Sequence, residues 1–118
     1  MEDKRYFYAA RVTRVYDGDT CTVDIDLGLY IWVRGETIRL ARIDAPEIRG
    51  RERPQGLQSR DYLRSLIDNQ EVFIQTIKDK KGKYGRYIGE IWVEHSAGNW
   101  INVSDNMVNE GYAIYFTY

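Results

Sequence analysis

A chain of 118 residues has room for one domain with a modest core and too little for two ordinary ones. Its 43% hydrophobic and 30% charged residues, with only two prolines, exclude the disordered class, and no apolar run approaches the roughly 20 residues that would span a bilayer. A net charge of −1 argues against a protein that holds nucleic acid by bulk electrostatics, and a lone cysteine, Cys21, permits no internal disulfide.

The amino end, Met-Glu-Asp-Lys-Arg-Tyr-Phe-Tyr, has acids and aromatics where a secretory leader needs a basic start and an apolar stretch. No export address is expected, and a cytoplasmic location is the default. Residues 9–16 and 20–27 alternate as strands, the second with Cys21, Val23, Ile25 and Leu27 on one face, and Asp17-Gly18-Asp19 between them signals a hairpin turn. Set among threonines in that strand, Cys21 reads as a buried thiol rather than a nucleophile. Gly28 and Gly35 bracket a short strand at 30–33 and open a longer one at 36–43. Pro54 suits the first turn of a helix, and Leu63, Leu66 and Ile67 recur at helical spacing to about Asn69. Strands follow at 71–77 and 86–93, separated by a lysine-rich loop, and a second hairpin turns at residues 96–98 and returns through 100–103. Ser104 or Asn102 caps a short helix ending before Gly111, and His95 reads as an ordinary surface residue. The order predicts a five-stranded barrel of the oligonucleotide-binding type, in an α+β, mainly β domain over residues 1–118. A helix is inserted after the third long strand, and a short helix stands near the carboxyl end.

Two acids stand at separate strand ends, Asp19 after the first turn and Asp44 at the end of the strand through Arg39, with Glu47 three residues on. Each alone is ordinary turn chemistry. Together they suit a hard divalent cation, which needs several oxygen ligands that a barrel rim can gather. Arg39 and Arg86 are the nearest cations in the pattern, and paired guanidinium donors fit phosphate oxygens as lysine cannot. Metal and arginines would clamp a phosphodiester whose charge grows as water attacks. One difficulty stands: in a regular strand Arg39 and Asp44 face opposite sides about 16 Å apart, so the strand must bend, bulge or twist, or the arginine must reach back.

Tyr-Asp-Gly-Asp-Thr at 16–20, Ile-Arg-Leu-Ala-Arg-Ile-Asp-Ala-Pro-Glu at 38–47, Lys-Tyr-Gly-Arg at 83–86 and Met-Val-Asn-Glu-Gly at 107–111 resemble, in that order, the staphylococcal nuclease (thermonuclease) family. The resemblance covers about residues 9–112. It implies a calcium-dependent endonuclease that hydrolyses DNA or RNA with little sugar specificity. Carried over by position, Asp19, Asp44 and the Ala45 backbone carbonyl are the metal ligands, and Asp17 is an acidic neighbour of the metal. Glu47 orients or deprotonates water, Arg39 and Arg86 clamp the phosphate, and Lys83 and Tyr84 meet the substrate's terminal phosphate. Tail tyrosines, among them Tyr115 and Tyr118, stack on a base.

Two departures accompany the match. The stretch between Asp19 and Arg39 is several residues longer than in the secreted member, extending a hairpin beside the site, and the tail stops about where that enzyme starts its last helix. A monomer is expected, with a small oligomer through the shortened carboxyl end as the variant, and no membrane partner. The competing readings are a non-catalytic module that binds nucleic acid or protein, and a regulatory metal-binding domain.

Overall fold

The computed structural model describes residues 7–81 and 86–117, with backbone alone over 78–81. Strand β1 (Phe7–Asp17) pairs with β2 (Thr20–Asp26) across a two-residue turn, and β2 pairs with β3 (Trp32–Leu40). After a short β4 (Ile43–Asp44) come helix α1 (Arg53–Ile67), β5 (Glu71–Lys81), β6 (Tyr87–Ser96), β7 (Asn99–Asn102), α2 (Val103–Asn109) and β8 (Ile114–Tyr115). The strand order β3-β2-β1-β5-β6 closes on itself where β6 runs parallel to β3, Arg39 opposite Ile88. This is the expected five-stranded barrel, with the long helix after the third strand and the short helix near the end.

Closure needs strong coiling, and bulges supply it. Ala10 and Val12 of β1 point inward, a register shift follows Val12, and inward alternation resumes at Val15 rather than Arg14. A second shift sits between Val15 and Asp17. Gly35 (φ 72) does not separate two strands, because β3 runs through it as a bulge opposite β2. The Asp24 carboxylate fills that bulge, accepting from the Gly35 amide at 2.9 Å and from Arg34 at 3.0 Å. Leu27, expected on the inner face of β2, lies past the strand's end and is exposed. The expected strand at 36–43 stops at Leu40, for a reason found at the site.

Helix α1 carries Pro54 in its first turn and buries one stripe, Gly56, Ser59, Leu63 and Ile67. Leu63 and Ile67 join Val12, Val15, Cys21, Val23, Ile38, Leu40, Ile74 and Ile91 in one core, which Val103 and Met107 of α2 cap. Each of these large side chains contributes about 1.5–3 kcal/mol on burial. Asn102, rather than Ser104, caps α2: its side chain accepts from the Asp105 amide at 3.0 Å, while the Ser104 hydroxyl is buried without a partner among the described residues. His95 lies exposed near the end of β6.

Cys21 is wholly buried, and burial, with the charge of Asp17, pushes its thiol up to about 12. Since the thiolate is the reacting form, Ellman's reagent at pH 8 is expected to find no thiol in the native chain and one after guanidinium unfolding. Native reaction at the rate of a free thiol would show the barrel open at β2.

Candidate functional site

The β1–β2 turn sets the first acid. The Asp17 carboxylate accepts from the Asp19 amide at 3.1 Å, fixing the two-residue reversal, and the Asp19 carbonyl accepts from the Leu40 amide at 2.8 Å. Asp19 is 6% exposed, and its oxygens divide their work. Oδ1 accepts from the Thr20 hydroxyl at 3.0 Å and Oδ2 from the Ala45 amide at 2.9 Å.

The second acid arrives by a reversal rather than a continuing strand. After Leu40 the chain turns through Ala41 and Arg42, whose φ of 68 lies in the left-handed region, and β4 folds back over Arg39. This disposes of the 16 Å difficulty. Arg39 leaves β3 on the face opposite the core residues Ile38 and Leu40 and is covered by the returning chain, so that it is only 9% exposed. Its Nη1 donates to the carbonyls of Leu40 (3.1 Å) and Ile43 (2.9 Å). Its Nη2 lies 3.3 Å from Asp44 Oδ1 and 3.4 Å from Asp19 Oδ2. Asp19, Asp44 and Arg39 thus meet.

The acids strain one another. Burial, then the Asp19 charge, pushes the Asp17 carboxyl up to about 7. Asp44 is raised by burial and by Asp19, against the opposing pull of Arg39. A cation of oxygen preference would suit this donor set, in which both carboxylates already share one positive nitrogen of Arg39. Among the described residues no third Asp, Glu, His or Cys completes a metal-type cluster. Ala45 is brought in by its amide, bonded to Asp19.

Glu47 lies beyond Pro46 in an exposed turn pinned from several sides. Its amide donates to Glu52 Oε1 at 3.0 Å, Arg53 donates to the Ile48 carbonyl at 3.0 Å, and Arg49 donates to the Tyr16 hydroxyl at 3.0 Å. Two of the three arginines clustered at 49–53 therefore shape this turn. The Glu47 carboxylate makes no ion pair with a described residue, so the acids' cluster does not include it. Arg86 is half-buried immediately ahead of β6, two residues before Ile88, the partner of Arg39. Tyr115 does not join the acids: its hydroxyl donates to Asp105 at 2.8 Å and Arg42 lies over its ring. Lys83, Tyr84 and Tyr118 fall outside the described residues.

Small residues set how close these parts come. A Cβ on Gly18 would stand 2.7 Å from the Cβ atoms of both Ala45 and Ser59, and one on Gly56 would stand 2.0 Å from the Glu47 carbonyl oxygen. Helix α1 therefore meets both acid-bearing turns along Gly56 and Ser59, and the Ser59 hydroxyl ties down the Tyr112 carbonyl at 2.7 Å. Sequence reasoning missed these positions; their one signal was glycine inside an otherwise helical stretch. A cleft of about 240 Å³ opens beside Asp44, with Glu52 and Tyr112 in its walls. A larger hollow of about 520 Å³, lined by Arg11, Phe73 and Trp100, is on the β1–β5 face and holds none of the acids.

Residues 37–118 match the family described as staphylococcal nuclease homologue. That span takes in Arg39, Asp44, Glu47 and Arg86. An uncharacterized protein of Methanocaldococcus jannaschii is 30% identical over 94% of this chain and 60% of its own length. Thermonucleases of Staphylococcus hyicus and Staphylococcus intermedius are 30% and 31% identical, each over 70% of this chain and 47% of its own length. The chain spans about half to three fifths of the length of these relatives.

Alanine for glycine inside a helix ordinarily stabilises by about 0.5–1 kcal/mol. At Gly56 the sign is expected to reverse, because backbone at Glu47 must move: Gly56→Ala should lose about 1–3 kcal/mol in urea unfolding. A variant as stable as the parent would contradict the close packing of α1 on the Glu47 turn.

Proposed function

The chain belongs to the staphylococcal nuclease family, and on that premise we propose that it is a calcium-dependent endonuclease hydrolysing phosphodiester bonds of DNA, RNA or both. The observation that carries the reading is Arg39, a nearly buried guanidinium held between Asp19 and Asp44, with Arg86 just ahead of the strand that pairs beside it. Asp19, Asp44 and the Ala45 carbonyl would hold the cation, with Asp17 beside them. When bound, calcium would neutralise charge on a phosphate oxygen.

The chain's own residues do the rest. Arg39 exchanges its carboxylate partners for substrate phosphate, presenting paired donors at fixed spacing, and Arg86 adds a second guanidinium from just ahead of the adjoining strand. Together they hold the charge that develops on the phosphoryl oxygens as water attacks phosphorus and the P–O bond to the departing sugar oxygen breaks. Glu47, on its fixed turn, orients that water and takes its proton. Pro46 fixes one backbone angle between Asp44 and Glu47, so their separation stays constant. Lys83 and Tyr84 are assigned to the terminal phosphate.

A second reading, a binding module without chemistry, draws on the outer face of β1, β5, β6 and β7. There Phe7, Phe73, Trp92 and Trp100 form a run of rings with centroids 5.1–5.5 Å apart, of the kind on which bases stack.

One assay separates the readings. Single-stranded DNA and RNA incubated with calcium should be cleaved, and excess chelator should abolish cleavage. Glu47→Gln, at an exposed position, should fold normally and lose activity by about 10²–10⁴-fold, and Arg39→Lys by about 10³-fold or more. Cleavage indifferent to chelator would remove the metal from the account, and binding without cleavage would favour the ring-bearing face.

A further inference from the structure

The reversal that brings Asp44 back to Arg39 rests on a residue outside the proposed chemistry. Arg42 carries a side chain in the left-handed region, where L-residues other than glycine and asparagine are uncommon, and such a backbone persists only where its surroundings over-determine it. The surroundings of Arg42 do so. Its Nε and Nη2 take the two oxygens of Glu90 at 2.5 and 3.1 Å, a bidentate pairing, and Nη1 takes Asp105 at 2.9 Å. Nη2 also reaches the Asn102 side-chain oxygen at 3.3 Å, and the Arg42 carbonyl accepts from the Phe116 amide at 2.8 Å. Those partners lie on β6, at the start of α2 and in the tail, so separate segments meet at one residue.

Glu90 is the residue after Gly89, which pairs with Leu40 and accepts from the Ala41 amide at 2.9 Å. The strand that closes the barrel thus also fixes both ends of the two-residue turn. Isolated exposed ion pairs contribute little to stability, but a bidentate fork supplies directional constraint. Here the constraint acts on the Ile43 carbonyl, Asp44 and the Ala45 amide, which are the groups that meet Arg39 and Asp19.

We propose that Arg42 is a positioning residue: clasped by Glu90 and Asp105, it holds the reversal that seats Asp44 on Arg39 and the Ala45 amide on Asp19. Its activity readout rests on the nuclease reading; its structural readout does not. Arg42→Gly accepts the left-handed backbone but loses the clasp, and Arg42→Lys keeps side chain and charge but loses the fork. In both, amide hydrogen exchange at Ala45 should quicken about tenfold or more while Ile74, central in the barrel, keeps its protection. With calcium and single-stranded DNA, kcat should fall by about 10- to 10²-fold with KM little changed, as expected of a misplaced reacting group. Parental Ala45 protection in both variants would overturn the proposal. So would an equal loss of protection at Ala45 and Ile74, which would mark Arg42 as a general stabiliser. If the parent chain cleaves nothing, the nuclease reading fails and the exchange data decide the role of Arg42 alone.

Discussion

A guanidinium 9% exposed must have its donors filled, since a buried cation left without partners costs several kcal/mol. Arg39 meets that demand with the carbonyls of Leu40 and Ile43 and the carboxylates of Asp19 and Asp44. The Ile43 carbonyl and Asp44 could not be supplied by a straight strand. The demand therefore accounts for the reversal at Ala41–Arg42, for the return of β4 across the barrel's outer face, and for the seating of the Asp19 turn against both. It also gives the two carboxylates one common positive charge, so each is close to the other without being left to repel it unopposed.

The barrel and the long helix divide the labour around that centre. Parallel pairing of β3 with β6 closes the barrel and sets Arg39 opposite Ile88, two residues after Arg86, while α1 approaches from the side with Gly56 and Ser59. A helix reaches two turns this closely only where side chains are nearly absent: Gly18, Ala45 and Ser59 meet with no space for another methyl group. The same helix carries Leu63 and Ile67 into the core, so one element couples the core to the acid turns. That coupling joins the hydrophobic pattern of residues 53–67 to the chemistry assigned to residues 19, 39 and 44.

Much of the barrel was legible in sequence because alternation and turn residues are local signals. The hairpin at Asp17-Gly18-Asp19, the helix opening at Pro54 and the inward face of Cys21, Val23 and Ile25 all read directly. Bulges were not legible, because an extra residue changes the phase of alternation without changing composition: Val12 and Val15 both point inward although they differ by three. Gly35 looked like a strand boundary and is instead a bulge closed by Asp24, a residue eleven positions earlier. At the site, Asp19, Asp44 and Arg39 could be chosen by type, whereas their meeting depends on a left-handed arginine that resembles any other charged strand residue. Gly56 and Ser59 carry no chemistry of their own and could be found only from what they touch.

The central claim of the proposed nuclease reading is that calcium would bind at Asp19 and Asp44 and release Arg39 from them. Nitrogen-15 spectra of the Arg39 guanidinium during a calcium titration test it directly. As calcium rises to about 10⁻³ M, the weak end of the range for such sites, the Arg39 side-chain resonances and the Ala45 amide should shift together and saturate with one dissociation constant. Calcium binding that leaves Arg39 and Ala45 unmoved would contradict the account.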